Sequence, residues 1–470
     1  MLEPTPARLP SIESTNLSPR LAAKLNPFDA TMLVMGGIVG SGVFINPYVV
    51  AGFVHTPVLI LGAWLAGGAI ALAGAFIYAE LADRMPAVGG QYAYLRDAYH
   101  PVVGFLYGWV ALLVIHAGGT AAVVVTFAKY FQQLTNGAGS EKVIAVIVIA
   151  ALTAINCLGV RAGGSVQSVF MIFRILAVST VVVCGMWFIL HSPAAPRVPW
   201  NPAIDPPPSI GLLSVFGAAM VPVLFGYGGW QTSNYVAGEI RDPRKNLPRA
   251  LVFGVVGVIV LYLTVNFVYV QALSPAVLAA TSTPASKVMR MAFGQLGASL
   301  VAALIVLSTA GFLSQAMLSY PRLYFAMADD GMLPRRFARL NARTRAPVPT
   351  IILQGAVTIV VVLLGTYEQI LSYVVVMDWL FFGLTATCIF IFRAREKHPA
   401  TNEHSSFLPG FRVPGHPWTT GLFIAVAWLV TLNTIYKYPR NAAVALCILF
   451  AGVPVYFLFR GRARRPDSSK

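Results

Sequence analysis

The chain has 470 residues, of which 57% are hydrophobic and only 11% charged, with a mean hydropathy of +0.72 and a formal net charge of +16. A soluble domain carries roughly 25% charged residues, so this composition excludes a water-exposed surface and with it a division into soluble domains. The positive excess does not point to nucleic acid, because the basic residues sit in short segments between apolar runs.

The first 27 residues are polar and rich in Pro and Ser, without an apolar stretch and small-residue cleavage site, so a cytoplasmic N-terminal tail with no secretory signal peptide is expected. Runs of about 20 apolar residues then predict spans at 28–50, 57–78, 102–130, 143–158 and 166–190. A proline-rich stretch, 191–208, separates these from spans at 210–236, 251–273, 300–326, 350–365, 370–392, 420–436 and 442–459. The expected organisation is therefore all-α and integral to a membrane, with about 12 transmembrane helices. The first five spans form one repeat (28–190) and the next five a second (209–392). A cytoplasmic loop with spans eleven and twelve (393–459) and a basic tail (460–470) follow. Placing the N-terminus inside puts 25 of the 33 Lys and Arg in cytoplasmic segments and 7 in outer ones, with Arg174 inside a span. An even number of spans then places both termini in the cytoplasm of a plasma (inner) membrane protein.

Span one contains MGGIVGSGVF at 35–44. Gly36 and Gly40 fit a small-xxx-small packing pair, but packing leaves Gly40, Ser41 and Gly42 unexplained. Three poor helix formers in a row, followed by Pro47, predict local unwinding, which is tolerated at membrane depth only where the backbone lines a cavity. Span three carries His116, which either faces a pocket or bonds a neighbouring carbonyl, and span five carries Arg174. Span six has a second break, LFGYGGW at 224–230. Interrupted segments at equivalent places in two halves point to a transporter site between inverted repeats. A zwitterionic amino acid suits such a site. Amides from Ser41 to Val43, at the start of the second half of span one, present the positive end of a helix dipole to a carboxylate. Carbonyls around Ile38 and from Phe225 through Gly226 to Gly228 suit an ammonium. Span ten carries Asp378. Asp29, near a helix start, is read as a cap.

GSGVF at 40–44, FGYGGW at 225–230 and EIRDPRKNLPR at 239–249 resemble the amino acid/polyamine/organocation superfamily, closest in motif to L-type amino acid transporters and bacterial serine/threonine or alanine exchangers. AELADRMPAVGGQY at 79–92, PRLYFAMADDGMLP at 321–334 and WLFFGLT at 379–385 extend the likeness over most of the chain in family order. The resemblance implies the leucine-transporter-type 5+5 inverted-repeat fold with two peripheral helices. It implies that Ser41 and Gly42 bind the substrate carboxylate through backbone amides and the Ser41 hydroxyl, and that Ile38, Phe225 and Gly228 offer carbonyls to the ammonium; Gly40 and Val43, beside them in the motif, are counted with the expected substrate-binding residues. Phe225 closes over the substrate and Trp230 packs beside the second break, or both are plain core.

At Asp378, L-type relatives carry a neutral polar residue near the substrate side chain. The carboxylate either accepts a polar or cationic side chain, or takes up a proton, or pairs with a hydroxyl or His116. FRILA at 173–177 matches a stretch in which relatives carry a lysine. Arg174 either replaces a coupling cation, reaching carbonyls at Gly36 to Ile38 and hydroxyls such as Ser308 or Ser314, or snorkels to an interface. The charged segments 239–249 and 329–345 either are solvated faces or link the repeats by ion pairs.

The expectation is a sodium-independent carrier of small or neutral L-amino acids working by alternating access. The alternative is a proton-coupled permease of cationic amino acids or polyamines. No nucleophile, acid/base pair or metal-ligand cluster recommends an enzyme, and neither cofactor nor metal is expected. Cys157, Cys184, Cys388 and Cys447 lie in or beside apolar runs and suggest no disulfide framework. Eukaryotic L-type relatives hold a heavy subunit through a cysteine between spans three and four. The loop 132–142 has none, so the expected partners are substrate and lipid, without a disulfide-linked subunit.

Overall fold

The structure, a computed structural model, describes residues 26–85, 90–158, 164–193, 196, 198, 210–344, 346–396 and 410–463. The N-terminal tail, Arg345 and most of the basic C-terminal tail expected from the sequence lie outside the described residues, as does 86–89 of the 79–92 motif. Every long element among the described residues is helical. Span one is two short helices, α1 (Pro27–Ile38) and α2 (Gly42–Phe53). Then come α3 (Pro57–Arg84), α4 (Gln91–Ala98) and α5 (Pro101–Val110), which runs through a π-helical stretch, Ala111–His116, into α6 (Ala117–Leu134). α7 (Glu141–Cys157) and α8 (Gly164–His191) complete the first half. The second half begins with α9 (Ile210–Tyr227), continued by a 3-10 stretch, Trp230–Glu239. It goes on with α10 (Pro243–Ala279), α11 (Pro284–Asp329), α12 (Val348–Leu364) and α13 (Tyr367–Glu396). α14 (Trp418–Lys437) and α15 (Pro439–Ala463) follow.

Among the described residues ten segments are long and apolar enough to cross a bilayer, and α7 and α12 occupy the remaining two expected places. At 17 residues each, these two reach about 26 Å, at the short end of a spanning helix. The chain is thus a multi-pass membrane protein, and side chains such as Leu213, Leu364, Leu422 and Phe450 form its apolar exterior. Several helices extend beyond the apolar runs. α13 continues to Glu396 and α15 to Ala463, and α11 begins at Pro284, not near 300. Hydropathy marks only the stretch that meets hydrocarbon, while backbone hydrogen bonding carries the helix on into water. α10 and α11 also contain breaks, at Ser274 (φ 62°) and at Phe293 and Gly294, that a hydropathy window cannot register.

Local chemistry accounts for the first helix start. The Asn26 side chain accepts from the Asp29 amide (2.9 Å) and the Asp29 carboxylate from the Asn26 amide (3.2 Å), a reciprocal cap that fixes Asp29 in the role expected for it. At the other end of α3, Glu80 is fully buried and saturated. Arg84 Nε (2.9 Å) and Nη2 (2.6 Å), Arg393 Nε (2.9 Å) and Nη2 (2.7 Å) and the Val413 amide (2.7 Å) all donate to its two oxygens. Arg84 also pairs with Glu396, and Asp83 accepts from the Phe411 amide at 2.8 Å. The first half (α3), the second half (α13) and the stretch of chain entering α14 are thereby tied at one end of the bundle. Nearby, Arg96 Nη1 (2.5 Å) and the Tyr92 hydroxyl (2.9 Å) donate to Asp330, so one of the charge-rich segments does link the two halves. Burial, with the Asp330 carboxylate beside it, pushes the Tyr92 phenol up, and the hydrogen bond to Asp97 holds the Arg96 guanidinium above its ordinary value.

Glu80→Ala leaves two arginines facing one another around an unpaired amide. Breaking a buried pair in this way costs about 3–5 kcal/mol. The expected result is a clearly lower thermal-unfolding midpoint for the purified protein in detergent. An unchanged midpoint would mean that the cluster adds nothing to stability.

Candidate functional site

The two breaks cross at backbone contact. Gly229 has φ 110°, and a Cβ built on it would lie 2.2 Å from the Gly37 carbonyl oxygen. A Cβ on Gly42 would lie 2.7 Å from the Gly226 Cα. The glycines of the two motifs are therefore needed first for the approach of one interrupted span to the other. Bulk at Gly42 would therefore meet backbone before it reached any substrate.

Between the breaks lies a cavity of about 70 Å³. It is bordered by Ile38, Gly40, Ser41 and Gly42 of the first break, by Phe225, Gly226 and Gly228 of the second, and by His116 and Asp378. Nine residues singled out from the sequence thus come together, although they derive from four separate spans. A larger void of about 270 Å³, edged by Tyr48, Pro222, Glu368 and Tyr438, borders neither glycine break and is not the candidate site.

At the first break the helix is resumed at Gly42, so the leading amides of α2 have no preceding turn of carbonyls to reach. The Ser41 hydroxyl is buried beside them without a hydrogen-bond partner. This is a ready site for an anionic group. The carbonyls are less free than expected. The Tyr262 hydroxyl, from α10, is 3.1 Å from the Ile38 oxygen and 3.0 Å from the Gly226 oxygen, and the Gly40 amide also donates to Ile38 (2.8 Å). One hydroxyl proton serves one carbonyl at a time, so at least one of the pair keeps acceptor capacity. Phe225 O accepts from the Gly228 amide at 3.1 Å and retains its second lone pair.

His116 lies in the π-helical stretch. Its ring stacks on Tyr320 (centroids 3.9 Å apart, planes at 8°), and its Nδ1 is 2.7 Å from the Tyr324 hydroxyl. The residue thus borders the cavity, and both tyrosines pack against its ring. Asp378 presents a buried Oδ1 with no hydrogen-bond partner, so neither a hydroxyl nor His116 pairs with that oxygen.

Five expected residues do not border the cavity. Val43 is fully buried one position beyond it. Trp230 packs on Phe382 (centroids 5.1 Å) and Tyr78 (6.5 Å), beside the second break as expected. Arg174 is 3% exposed, which excludes snorkelling, and its guanidinium donates to the Gly36 carbonyl one layer behind the cavity. It lies 5.9 Å from the Phe312 ring centroid, and that ring does border the cavity. Ser308 Oγ is buried without a partner and Arg174 Nε is likewise unpartnered, so the expected arginine–hydroxyl contact is not made; no bond links Arg174 to Ser314 either. Tyr262, Phe312 and Tyr320 escaped the sequence reading. Only a tyrosine or phenylalanine within an apolar run was visible there, and such residues are too common in spans to stand out.

At the opposite end of the bundle from Glu80, Tyr367 donates to Asn46 Oδ1 (2.7 Å) and Asn46 Nδ2 to the Pro222 carbonyl (2.6 Å). This chain joins α2, α9 and α13.

The sequence profile of a family described as amino acid permease matches residues 25–459. The chain is 31% identical over 441 residues to the serine/threonine exchanger SteT of Bacillus subtilis, covering 92% of this chain and 96% of that one. It is 29% identical over 449 residues to the human large neutral amino acids transporter small subunit 2, covering 93% of this chain and 80% of the relative. With the human Asc-type amino acid transporter 1 it shares 29% over 454 residues, covering 94% and 83%.

Proposed function

The chain belongs to the amino acid permease family, and from that premise we propose that it is a secondary carrier of small or neutral L-amino acids, working by alternating access. The observation that carries the reading is the crossing of two interrupted spans around a small cavity with free amides on one wall and carbonyl acceptors on the other. The amides from Ser41 to Val43, with the Ser41 hydroxyl, take the substrate carboxylate. The carbonyls of Phe225 and Gly228, and of Ile38 or Gly226 when Tyr262 turns to the other, take the ammonium. Phe225 closes the cavity, Trp230 braces the second break, and His116 and Asp378 meet the substrate side chain. Arg174, held at the Gly36 carbonyl, supplies the fixed positive charge that a coupling cation would otherwise bring, so transport runs without sodium. Exchange suits the family resemblance.

The two five-span halves, 28–190 and 209–392, act as the inverted repeats, and the Glu80 and Asp330 ion pairs close one mouth while the Tyr367–Asn46–Pro222 chain closes the other. In this reading the protein lies in the cell membrane with the Glu80 end and both termini in the cytoplasm, an orientation that the excess of Lys and Arg in those segments supports. The 132–142 loop has no cysteine, so no heavy subunit is attached through it.

The test is counterflow of radiolabelled amino acids in proteoliposomes, with sodium present or replaced by choline. Accumulation driven by an opposing amino acid gradient, equal in both media, is expected. Failure of all twenty common amino acids to drive it would end the reading, and a strict need for sodium would remove the role given to Arg174. If dibasic amino acids or polyamines were carried with protons instead, the Asp378 carboxylate would be the coupling group.

A further inference from the structure

We propose that the side-chain end of the central cavity selects short side chains that finish in a hydrogen-bond donor, a hydroxyl or a small ammonium, over apolar side chains of the same shape. The inference rests on the cavity being the amino acid site. Asp378 Oδ1 is buried at that end with no hydrogen-bond partner. Ionised or protonated, a carboxyl group keeps acceptor oxygens that need a donor once removed from water.

The surroundings do not supply one. His116 Nδ1 is engaged by the Tyr324 hydroxyl and the imidazole lies flat on Tyr320, with no bond from either ring to that oxygen. Val123, Val374 and Val375, which border the same cavity, offer only hydrocarbon. A donor must therefore come from whatever fills the space. Water can provide it while the site is empty, but a substrate side chain displaces that water and must replace its hydrogen bond.

Size sets the second condition. The cavity is about 70 Å³ in all, and the main-chain groups of a substrate already occupy the end near Ser41. A cavity this small favours short side chains over long or aromatic ones. A site built around a polar group rejects an isostere lacking the matching donor far more strongly than an apolar pocket rejects an extra hydroxyl.

Threonine and valine have nearly the same shape and differ in that donor. The experiment is competition by threonine, valine and 2,3-diaminopropionate against radiolabelled alanine counterflow in proteoliposomes. Threonine is expected to compete at least about tenfold better than valine. The relative strength of 2,3-diaminopropionate identifies whether a hydroxyl or an ammonium is preferred. Asp378→Leu should bring threonine and valine within about twofold, whereas Asp378→Asn, which keeps an acceptor oxygen in place, should retain the preference. Should Asp378→Leu fail to yield monodisperse protein, the parent and the asparagine variant still decide. Active counterflow in which valine equals or exceeds threonine overturns the inference while leaving the carrier reading intact. Absence of counterflow with any amino acid removes both.

Discussion

Arg174→Ala is expected to lower amino acid uptake about 10- to 100-fold, because a hydrogen bond from a charged group contributes about 1.5–3 kcal/mol and each 1.4 kcal/mol is a factor of ten. The guanidinium donates to the carbonyl of Gly36, in the last turn of α1 before the first break, and leans toward the Phe312 ring that borders the cavity. Removing it leaves a carbonyl without its donor, a void behind Phe312, and no fixed positive charge between α1, α8 and α11. Arg174→Lys keeps the charge and one donor, and since Arg174 Nε makes no bond, little of the guanidinium fork is lost. Partial uptake is expected from that variant, in sodium and in choline alike. The measurement is the initial rate of uptake by proteoliposomes matched for reconstituted protein. An alanine variant as fast as the parent would show that the charge has no part in transport.

Gly229→Ala is expected to cost about 3 kcal/mol or more, the sum of strain at a backbone angle that residues with a Cβ rarely adopt and of overpacking against an immovable neighbour. At φ 110° the added carbon would stand 2.2 Å from the Gly37 oxygen, so the two interrupted spans must separate. Gly42→Val is expected to fail for a related reason, through contact with the Gly226 Cα. Both should show loss of monodisperse protein on size exclusion in detergent, or a low melting midpoint with no substrate binding. Gly62→Ala is the control. It lies within α3, where an added Cβ would meet nothing within 4 Å, and alanine should be neutral or favourable by up to about 1 kcal/mol there. A folded Gly229→Ala protein that binds amino acid as the parent does would mean that the breaks need not touch.

What could be read from the sequence follows from how locally the information is written. Membrane spans are legible because the bilayer requires about 20 apolar residues in succession, and the breaks are legible because runs of glycine within a span contradict helix propensity. The cap at Asp29, the two glycine motifs and the presence of His116, Arg174 and Asp378 within spans belong to this class, whereas the burial of Arg174, open in the sequence against snorkelling, was decided by packing. Glu80 and Asp83 were visible as carboxylates near the end of an apolar run, but their partners were not, since Arg393 and the Phe411 and Val413 amides lie more than 300 residues away along the chain.

Consecutive residues alone establish that the chain crosses a membrane many times, that two of the crossings are interrupted, and which few polar residues lie at that depth, because hydrocarbon is a solvent that tolerates little variation along a span. It took the packed molecule to reveal that Gly42 and Gly229 face backbone, that Tyr262 shares the carbonyls of both breaks, that His116 belongs to Tyr320 and Tyr324, and that Asp378 is left wanting a donor. These depend on how helices from distant parts of the chain pack, and in hydrocarbon that packing turns on the close fit of small residues and single hydrogen bonds, which no one helix records in its own sequence.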